Sequence, residues 1–346
     1  MNRDDLRYFQ SMPLDIKVAM TKTRIREWVT FYGVSGTYIS FSGGKDSTVL
    51  LHLVRELYPD VPAVFVNTGL EYPEIQAFAK SFDNVTVLQP AMRFNEVISK
   101  YGYPFISKEI SQKIYEAKSA ERHGNYNSYA HRQLNGVYVS KNGKSNAYDI
   151  TKYSPLLDAD FILSNRCCNV MKKNPSKHYE KAADKVPFIA TMTDESKLRE
   201  QVWLKEGCNA FESKRQTSKP MSFWTENDVL QYIRDNNIKI CSVYGDIVPA
   251  DAQYSFDGCF DCEKLCTTGC ERTGCIFCGY GAHLDKYSKF LRLKETHPKQ
   301  YDYCMAGGEH DIDGIWKPNK KGLGMAHVID ELNKLYSKGG KAFIEY

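Results

Sequence analysis

Three consecutive segments decide the fold: Thr37–Phe41 (TYISF), Ser42–Ser47 (SGGKDS) and Ser47–Val54 (STVLLHLV). The first is rich in β-branched and aromatic residues and predicts a strand, whereas the third predicts a helix. Between them, two adjacent glycines let the backbone turn tightly and approach a ligand closely. The amides of such a turn point together at the positive end of the following helix. The stretch therefore predicts a strand, an anion-binding loop and a helix.

The side chains of this phosphate loop (Ser42–Ser47) suit a nucleotide's phosphates. The hydroxyls of Ser42 and Ser47 can add hydrogen bonds, and Lys45 can add a positive charge. Asp46 offers the carboxylate oxygen that Mg²⁺ prefers. Ser40, within the strand, is a further candidate for the nucleotide site. The spacing is not that of a Walker loop, G-x-x-x-x-G-K-[ST]. We therefore predict a different class of phosphate and Mg²⁺ site, with Lys45, Asp46 and Ser47 as catalytic candidates.

Strands and helices alternate on either side of the phosphate loop. Pro62–Val66 and Asn84–Leu88 read as strands with a helix from about Pro73 between them, and Val186–Ala190 reads as a further strand. This alternation predicts an α/β fold in which helices flank a parallel, twisted sheet. A cysteine-rich, mostly helical region is expected to follow it.

Composition sets the class of protein. The chain has 346 residues, 42% of them hydrophobic, and a net charge of +4, which is ordinary for a globular protein. We expect two domains, a nucleotide-binding domain over 1–250 and a cysteine-rich, metal-binding region over 251–346. No apolar run approaches the roughly 20 residues of a membrane span, and no signal-peptide core follows Met1. A cytoplasmic protein without a membrane partner is expected.

A polar, basic insertion is predicted over 117–153. It interleaves lysines and arginines with tyrosines, and Lys141–Lys144 carries a hairpin signal. Basic residues with aromatics can contact a nucleic-acid backbone and stack on bases. The alternative interpretation is a solvated insertion without a ligand.

The chain's eleven cysteines are unevenly spread. Without an export signal, crowded cysteines favour a metal site over disulfides. Cys167 and Cys168 are adjacent, and Cys275-x-x-Cys278 presents two thiols at a glycine-flanked turn. Zinc and an iron–sulfur cluster both accept thiolates, so both stay open. A separate zinc knuckle would use four of the crowded cysteines: Cys259, Cys262, Cys266 and Cys270.

The hexapeptide Ser42–Ser47 matches the SGGxDS signature of the PP-loop ATP pyrophosphatase superfamily, whose fold is of the adenine nucleotide α-hydrolase type. Asn67–Glu74, Lys219–Val229 and Arg166–Lys173 resemble motifs of its phosphoadenosine-phosphosulfate (PAPS) reductase family. The resemblance covers about 35–300. It implies that the loop binds ATP or a related adenylyl nucleotide. It also implies that the turn Asn67–Gly69 lines the adenosine pocket and that the neighbouring Glu71 lies near the substrate.

The resemblance also implies a metal centre. Adenylyl-sulfate reductases carry a [4Fe-4S] cluster on a Cys-Cys pair and a distant C-x-x-C, which places Cys167, Cys168, Cys275 and Cys278 as ligands. The run that begins at Cys270 also resembles DndC-type sulfurtransferases, so Cys270 competes for one ligand position.

Two departures from the reductase pattern affect the predicted reaction. Met171 replaces a motif arginine, which leaves Lys172 as the neighbouring cation, and Arg199 aligns loosely with a substrate-binding segment. The reductases' E-C-G-L-H motif is absent, and Cys304 is the nearest late thiol. We therefore expect an enzyme that cleaves ATP to an adenylate.

This enzyme would complete an iron–sulfur-dependent sulfur transfer to the adenylated acceptor, with nucleic acid as a candidate acceptor. It would require a sulfur donor or a reductant protein. The alternatives are a PAPS or adenylyl-sulfate reductase, and a non-catalytic nucleotide-binding module with structural zinc.

Overall fold

The computed structural model describes residues 2–137, 149–250 and 264–346. The chain forms two compact units from interleaved segments. The first unit comprises 1–67, 71–89 and 175–273, and the second comprises 68–70, 90–174 and 274–346. The expected domains were sequential, 1–250 and 251–346, and that division stays a prediction.

A six-stranded sheet forms the centre of the first unit. Its strands are β1 (Thr37–Phe41), β2 (Ala63–Val66), β3 (Val85–Leu88), β5 (Val186–Ile189), β6 (Asn209–Ala210) and β7 (Thr217–Ser218). Their order is β3-β2-β1-β5-β7-β6, and every pair is parallel except β6 with β7. The order reverses between β1 and β5, so the carboxyl end of β1 is the topological switch point at which open α/β sheets bind ligands.

Helices flank this sheet. They are α1 (Arg3–Ser11), α2 (Leu14–Tyr32), α3 (Lys45–Leu57), α4 (Pro73–Lys80), α9 (Asn174–Ala183), α10 (Lys197–Glu206) and α11 (Glu226–Asp235). Two of them begin where the sequence supplies a capping side chain, Ser196 before α10 and Thr225 before α11. A short antiparallel pair, β8 (Ile247–Pro249) with β9 (Leu265–Thr267), completes the described part of this unit.

The core of the first unit lies between the sheet and its helices. Ile39, Ala63 and Phe188 in the strands are fully buried, as expected for a parallel sheet that is covered on both faces. Trp28 of α2 is equally buried. The predicted α/β class, with its parallel sheet flanked by helices, is confirmed.

The second unit consists of helices and short strand pairs. Its elements are β4 (Phe105–Ile106), β10 (Gly279–Tyr280), β11 (Glu309–His310), β12 (Trp316–Lys317), α5 (Phe94–Tyr101), α6 (Lys108–Glu121), α7 (Tyr129–Leu134), α8 (Arg166–Cys168), α12 (Lys289–Thr296), α13 (Pro298–Met305) and α14 (Met325–Tyr336). β4 and β10 pair in parallel, whereas β11 and β12 form an antiparallel ribbon.

The segment 117–153 differs from the predicted polar insertion where it is described. α6 continues to Glu121, and Ser128 caps α7, so the stretch begins as packed helices. Lys118 is buried and donates to the carbonyls of Ala159 and Phe161, so its charge is not available to a nucleic acid. The hairpin predicted at Lys141–Lys144 lies outside the described residues.

The mostly helical character expected of 251–346 does not extend to His283. α12 starts at Lys289 because Ser288 accepts hydrogen bonds from the amides of Phe290 and Leu291. His283 lies in a single 3-10 turn instead. No helix in residues 2–137, 149–250 and 264–346 is both long and apolar enough to traverse a bilayer.

Candidate functional site

The phosphate loop follows β1 at the switch point of the sheet. Gly43 has φ of +71°, a conformation that favours glycine, and a Cβ there would meet the Ile75 side chain at 3.0 Å. Gly44 is extended and precedes the first turn of α3, whose leading amides have no partner within the helix. The backbone is therefore shaped to present amides to an anion.

Hydrogen bonds among the loop's own residues fix its shape. The Gly44 amide donates to Ser42 Oγ at 3.3 Å, and Ser42 Oγ lies 3.0 Å from Ser47 Oγ. Ser47 Oγ also accepts from the Ser42 amide at 3.2 Å and donates to the Gly44 carbonyl at 2.9 Å. Both predicted serines therefore hold the turn together through their own hydrogen bonds. Ser40, the other predicted serine, lies in β1.

Lys45 points away from open solvent and is fully engaged. Its ammonium is buried, 2.8 Å from Glu226 Oε1 and 2.8 Å from the Glu271 carbonyl. It also lies over the Tyr244 ring, 5.3 Å from the centroid. The predicted role of Lys45 as a charge for phosphate stays a prediction, while its observed contacts tie the loop to two other segments.

Asp46 is the partly buried carboxylate of the loop. Its Oδ1 is one of the few buried side-chain oxygens among the described residues without a hydrogen-bond partner. Burial raises the pKa of Asp46, an effect opposed by the charges of Lys45 and Arg272. A carboxylate oxygen buried without a donor is well suited to a hard divalent cation such as Mg²⁺.

Two arginines supply positive charge beside Asp46. Arg199 pairs with Glu195, and both Arg199 and Arg272 act electrostatically on Asp46. Burial, together with the charge of Arg272, lowers the pKa of Arg199. Arg199 was expected near the substrate, whereas Arg272, which sequence reasoning missed, lies in the cysteine-rich run.

Tyr244 and Thr273 cover one amide of the loop. The Lys45 amide donates to the Tyr244 hydroxyl at 3.2 Å, and that hydroxyl lies 2.6 Å from Thr273 Oγ1. Burial raises the pKa of Tyr244 to about 12, so the phenol is neutral at physiological pH. Nothing in the spacing of the sequence indicates this contact.

The predicted adenosine turn follows β2. Asn67 donates its amide to the Leu88 carbonyl at 2.8 Å, and Gly69 has φ of +73°. Thr68 Oγ1 accepts from the Leu70 amide at 3.2 Å. The Leu70 carbonyl in turn accepts from the Ile276 amide at 2.7 Å, which joins residues 68–70 to the C-x-x-C run. Glu71, which follows, is buried.

A four-cysteine site (Cys167, Cys168, Cys275 and Cys278) forms within the second unit. Cys167 and Cys168 lie in α8, directly before a π-helical turn over Asn169–Lys173, and the Cys278 amide donates to the Cys275 carbonyl at 3.0 Å. Cys275 and Cys278 both lie close enough to Cys167 to raise its pKa. Sequence reasoning predicted this grouping of two distant segments.

The spacing of these sulfurs bears on the kind of metal. Among the described residues, three or more possible metal-ligand atoms of His, Cys, Asp or Glu come within 4.8 Å of one another in one group. That group consists of Asp160, His310 and His327 and contains no cysteine. No three of the four sulfurs are therefore that close. Zinc–sulfur bonds of about 2.3 Å require a tighter tetrahedron. A polynuclear cluster instead places each thiolate on a different iron, and the choice between zinc and a [4Fe-4S] cluster stays a prediction.

Electrostatics divide the cysteine pair. A hydrogen bond from Cys167 and the charges of Lys108, Lys172 and Lys173 lower the pKa of Cys168 to about 6. The same hydrogen bond raises the pKa of Cys167, and burial raises that of Cys278. Cys168 is therefore the thiol of this site that ionises most easily, and it lies beside lysines that include the predicted Lys172.

Tight packing positions the C-x-x-C turn. A Cβ on Gly279 would lie 2.3 Å from the Phe105 ring, so only glycine fits beside β4. The Tyr280 hydroxyl donates to the Ser164 carbonyl at 2.8 Å, which joins this turn to the segment before Cys167. Met171, which replaces the motif arginine, is fully buried and serves packing.

Cys270 belongs to the first unit and not to the unit that holds the other four cysteines. Its amide donates to the Val243 carbonyl at 2.8 Å, and its thiol acts electrostatically on Cys241. Its expected competition for a ligand position stays a prediction. Of the zinc-knuckle candidates, Cys259 and Cys262 lie outside the described residues.

Comparison with known proteins identifies the family. Residues 36–120 and 121–279 match the family model of the phosphoadenosine phosphosulfate reductase domain. The chain belongs to this family. The predicted resemblance to the PAPS reductases is thereby confirmed, as is membership in a family of enzymes, and the PP-loop assignment is consistent with it. The resemblance to DndC-type sulfurtransferases stays a prediction.

The curated relatives match only in part. A phosphoadenosine 5'-phosphosulfate reductase of Synechococcus is 27% identical over 104 residues, which are 30% of this chain and 43% of that protein. An uncharacterised protein of Methanocaldococcus jannaschii is 38% identical over 69 residues, 19% of this chain and 17% of that protein. The chain thus spans less than half the length of these relatives.

A crystal structure of PAPS reductase from Candida auris, in complex with phosphate, also aligns with the chain. The identity is 12% and the TM-score 0.35, and the alignment covers 70% of this chain and 90% of that one.

Proposed function

We propose that the protein is an enzyme of sulfur metabolism that binds an adenylyl nucleotide at the phosphate loop and reduces a sulfonucleotide, PAPS or adenylyl sulfate. The observation that carries this proposal is the family match, which spans the loop and the four-cysteine site together. Among the expectations from sequence, the reductase alternative therefore has more support than the sulfur-transfer reaction.

The chemistry of the loop supports a polyanionic nucleotide. Helix-start amides and the Ser42 and Ser47 hydroxyls can donate to phosphate oxygens, while Arg199 and Arg272 balance negative charge. Asp46 would bind a magnesium ion shared with those oxygens. Asn67–Gly69 would line the adenosine, since ligands bind at the carboxyl ends of parallel strands.

The four-cysteine site would hold a [4Fe-4S] cluster through Cys167, Cys168, Cys275 and Cys278. When bound, such a cluster supplies a redox-active iron centre whose properties depend on nearby charge and hydrogen bonds. Lys108, Lys172 and Lys173 provide that charge, and Lys172 is also a candidate contact for an anionic substrate. A reductant protein is the partner that this reaction needs.

A second candidate is ATP-dependent sulfur transfer, and the environment of Cys304 favours it. Cys304 is the nearest counterpart of the late reductase nucleophile, yet it is fully buried and its Sγ lies 3.3 Å from Met325 Sδ. Burial raises its pKa, so it is a poor thiolate nucleophile. In this alternative ATP adenylates an acceptor, such as a nucleic acid, and a sulfur donor displaces AMP.

One anaerobic experiment separates these candidates. The purified protein is given PAPS or adenylyl sulfate with a dithiol, and separately ATP with sulfide and either tRNA or DNA. Release of sulfite from a sulfonucleotide supports the reductase. Formation of AMP and pyrophosphate that depends on the acceptor supports sulfur transfer instead. Nucleotide binding with neither reaction would contradict the proposal and favour a non-catalytic module.

A further inference from the structure

Two histidines and one aspartate converge in the second unit, and the sequence analysis singled out none of the three. His310 Nε2 lies 2.7 Å from Asp160 Oδ2, and His327 Nε2 lies 2.8 Å from the same oxygen. All three ligand atoms lie within 4.8 Å of one another. We name this group the His–Asp–His cluster.

The backbone around Asp160 is held in place on both sides. The ammonium of buried Lys118 donates to the carbonyls of Ala159 at 2.6 Å and Phe161 at 3.1 Å. The Trp316 amide donates to the Asp160 carbonyl at 2.6 Å. The carboxylate therefore projects from a fixed segment and not from a mobile loop.

The two histidines are also carried by ordered elements. His310 is in β11, directly opposite Trp316 of the partner strand β12. His327 is in the first turn of α14, and this helix is anchored by its buried residues Val328 and Ile329. The Trp316 ring packs on the His327 ring with centroids 4.2 Å apart. These contacts set both imidazoles toward one carboxylate.

We infer that the His–Asp–His cluster binds a divalent first-row transition-metal ion, with Zn²⁺ as the representative ion. Two imidazole nitrogens and a carboxylate oxygen form a donor set that such ions prefer over Mg²⁺ or Ca²⁺. Three protein ligands leave a coordination position for water, and the side chains are between a quarter and a half exposed, so an ion can enter. Bound metal would join α14, the β11–β12 ribbon and the Asp160 segment.

The alternative is a purely hydrogen-bonded network, in which a protonated histidine shares Asp160 with its neighbour. The two interpretations differ in one respect: the metal site needs both imidazoles in the neutral, lone-pair form. They are therefore separable by direct measurement of bound metal, without any assay of activity.

The test compares His310→Ala, His327→Ala and Asp160→Asn with the wild type and with His123→Ala. His123 is exposed and its ring hydrogen-bonds to the Ser119 carbonyl, away from the cluster residues, so it is a matched control. Each protein is stripped with chelator, equilibrated with Zn²⁺ and analysed for metal by mass spectrometry. We expect each cluster variant to bind one equivalent less than the wild type and His123→Ala to bind the same amount.

A cobalt titration excludes the four-cysteine site as the source of that equivalent. Co²⁺ at the cluster is expected to give visible d–d absorption without the near-ultraviolet charge transfer of thiolate ligands, and to give it in Cys278→Ser as well. His310 is half exposed, so His310→Ala is expected to fold as the wild type, and its thermal unfolding in EDTA checks this. Equal zinc content in the wild type and a folded His310→Ala would overturn the inference, as would absence of the thiolate-free cobalt spectrum from Cys278→Ser.

Discussion

The phosphate loop and the four-cysteine site are built in opposite ways. The loop consists of six consecutive residues, and its hydrogen bonds run mostly among Ser42, Gly44 and Ser47 themselves. The four-cysteine site joins α8 to a turn before β10, two segments far apart in the sequence. The first site is specified by local order, whereas the second depends on the packing of β4 against β10 and on the Tyr280–Ser164 hydrogen bond.

The two sites are therefore sensitive to different changes in the protein. A local anion loop tolerates distant change but not a change of its own backbone, because its amides are the ligands. A site assembled from two segments loses its geometry when either segment shifts.

The largest effect is expected from Cys278→Ser in protein purified without oxygen. Loss of one thiolate ligand is expected to reduce bound iron and acid-labile sulfide from the wild-type content to near zero. Cys270→Ser is the control, since Cys270 belongs to the first unit, and it is expected to keep the wild-type content. Iron loss in Cys270→Ser with retention in Cys278→Ser would reverse the ligand assignment.

Asp46→Asn is expected to weaken magnesium-dependent nucleotide binding by at least about 10-fold, because the ion loses a carboxylate ligand. The iron content should stay at the wild-type level. Calorimetric titration with and without Mg²⁺ measures the effect, and equal affinity of both proteins in Mg²⁺ would remove Asp46 from the site.

Asp46→Asn should lower nucleotide affinity but should not lower the stability of the folded protein at neutral pH. Burial raises the pKa of Asp46, so the folded state binds its proton more tightly than the unfolded state does. This carboxyl therefore contributes stability that increases as the pH falls through its folded pKa and is lost as the pH rises. Thermal unfolding at neutral pH is expected at an equal or higher temperature in Asp46→Asn, with a weaker pH dependence than in the wild type. A lower unfolding temperature with an unchanged pH dependence would contradict this sign.

Much of the region around the loop could be predicted from sequence because its signals are local. The predicted strand Thr37–Phe41 coincides with β1. The predicted phosphate loop follows it and leads directly into α3. The contact of Glu226 with Lys45 was not predictable, although Glu226 lies in a segment that resembles a family motif. Contacts between side chains that are far apart in the sequence do not produce a pattern that can be recognised in the sequence.

Gly279→Ala should destabilise the protein by about 1–3 kcal/mol, because the added Cβ would overlap the Phe105 ring. Gly274→Ala is the matched control, since a Cβ there meets nothing within 4 Å, and a change within about 0.5 kcal/mol is expected. Midpoints of urea unfolding measure both. Equal midpoints would show that β4 and β10 do not position the turn as described.

The smallest effect concerns Cys168 in the metal-free protein. Its pKa of about 6 means that the thiolate is present above that pH and is lost below it. The rate of alkylation by iodoacetamide, plotted against pH, should therefore rise with a midpoint near pH 6 in the wild type. This rise should be absent from Cys168→Ser. A wild-type midpoint near the unperturbed value of about 8.5 would show that Cys167 and the lysines do not act as described.

The four-cysteine site and the His–Asp–His cluster show what sequence reasoning finds and misses. Cysteine is rare enough that a Cys-Cys pair and a C-x-x-C indicate a metal site at any separation. Asp160, His310 and His327 have no informative spacing, and they meet only because Lys118, Trp316 and α14 hold them. Common residue types brought together by tertiary packing alone cannot be recognised from one sequence.

A crystal structure of the protein with an adenylyl nucleotide and Mg²⁺ would test the proposed nucleotide site most directly. We predict that the phosphates lie against the backbone amides of residues 43–47, with Asp46 on the ion and Arg199 or Arg272 in contact with a phosphate oxygen. A nucleotide bound elsewhere, with the phosphate loop free of phosphate, would show that this loop is not the nucleotide site.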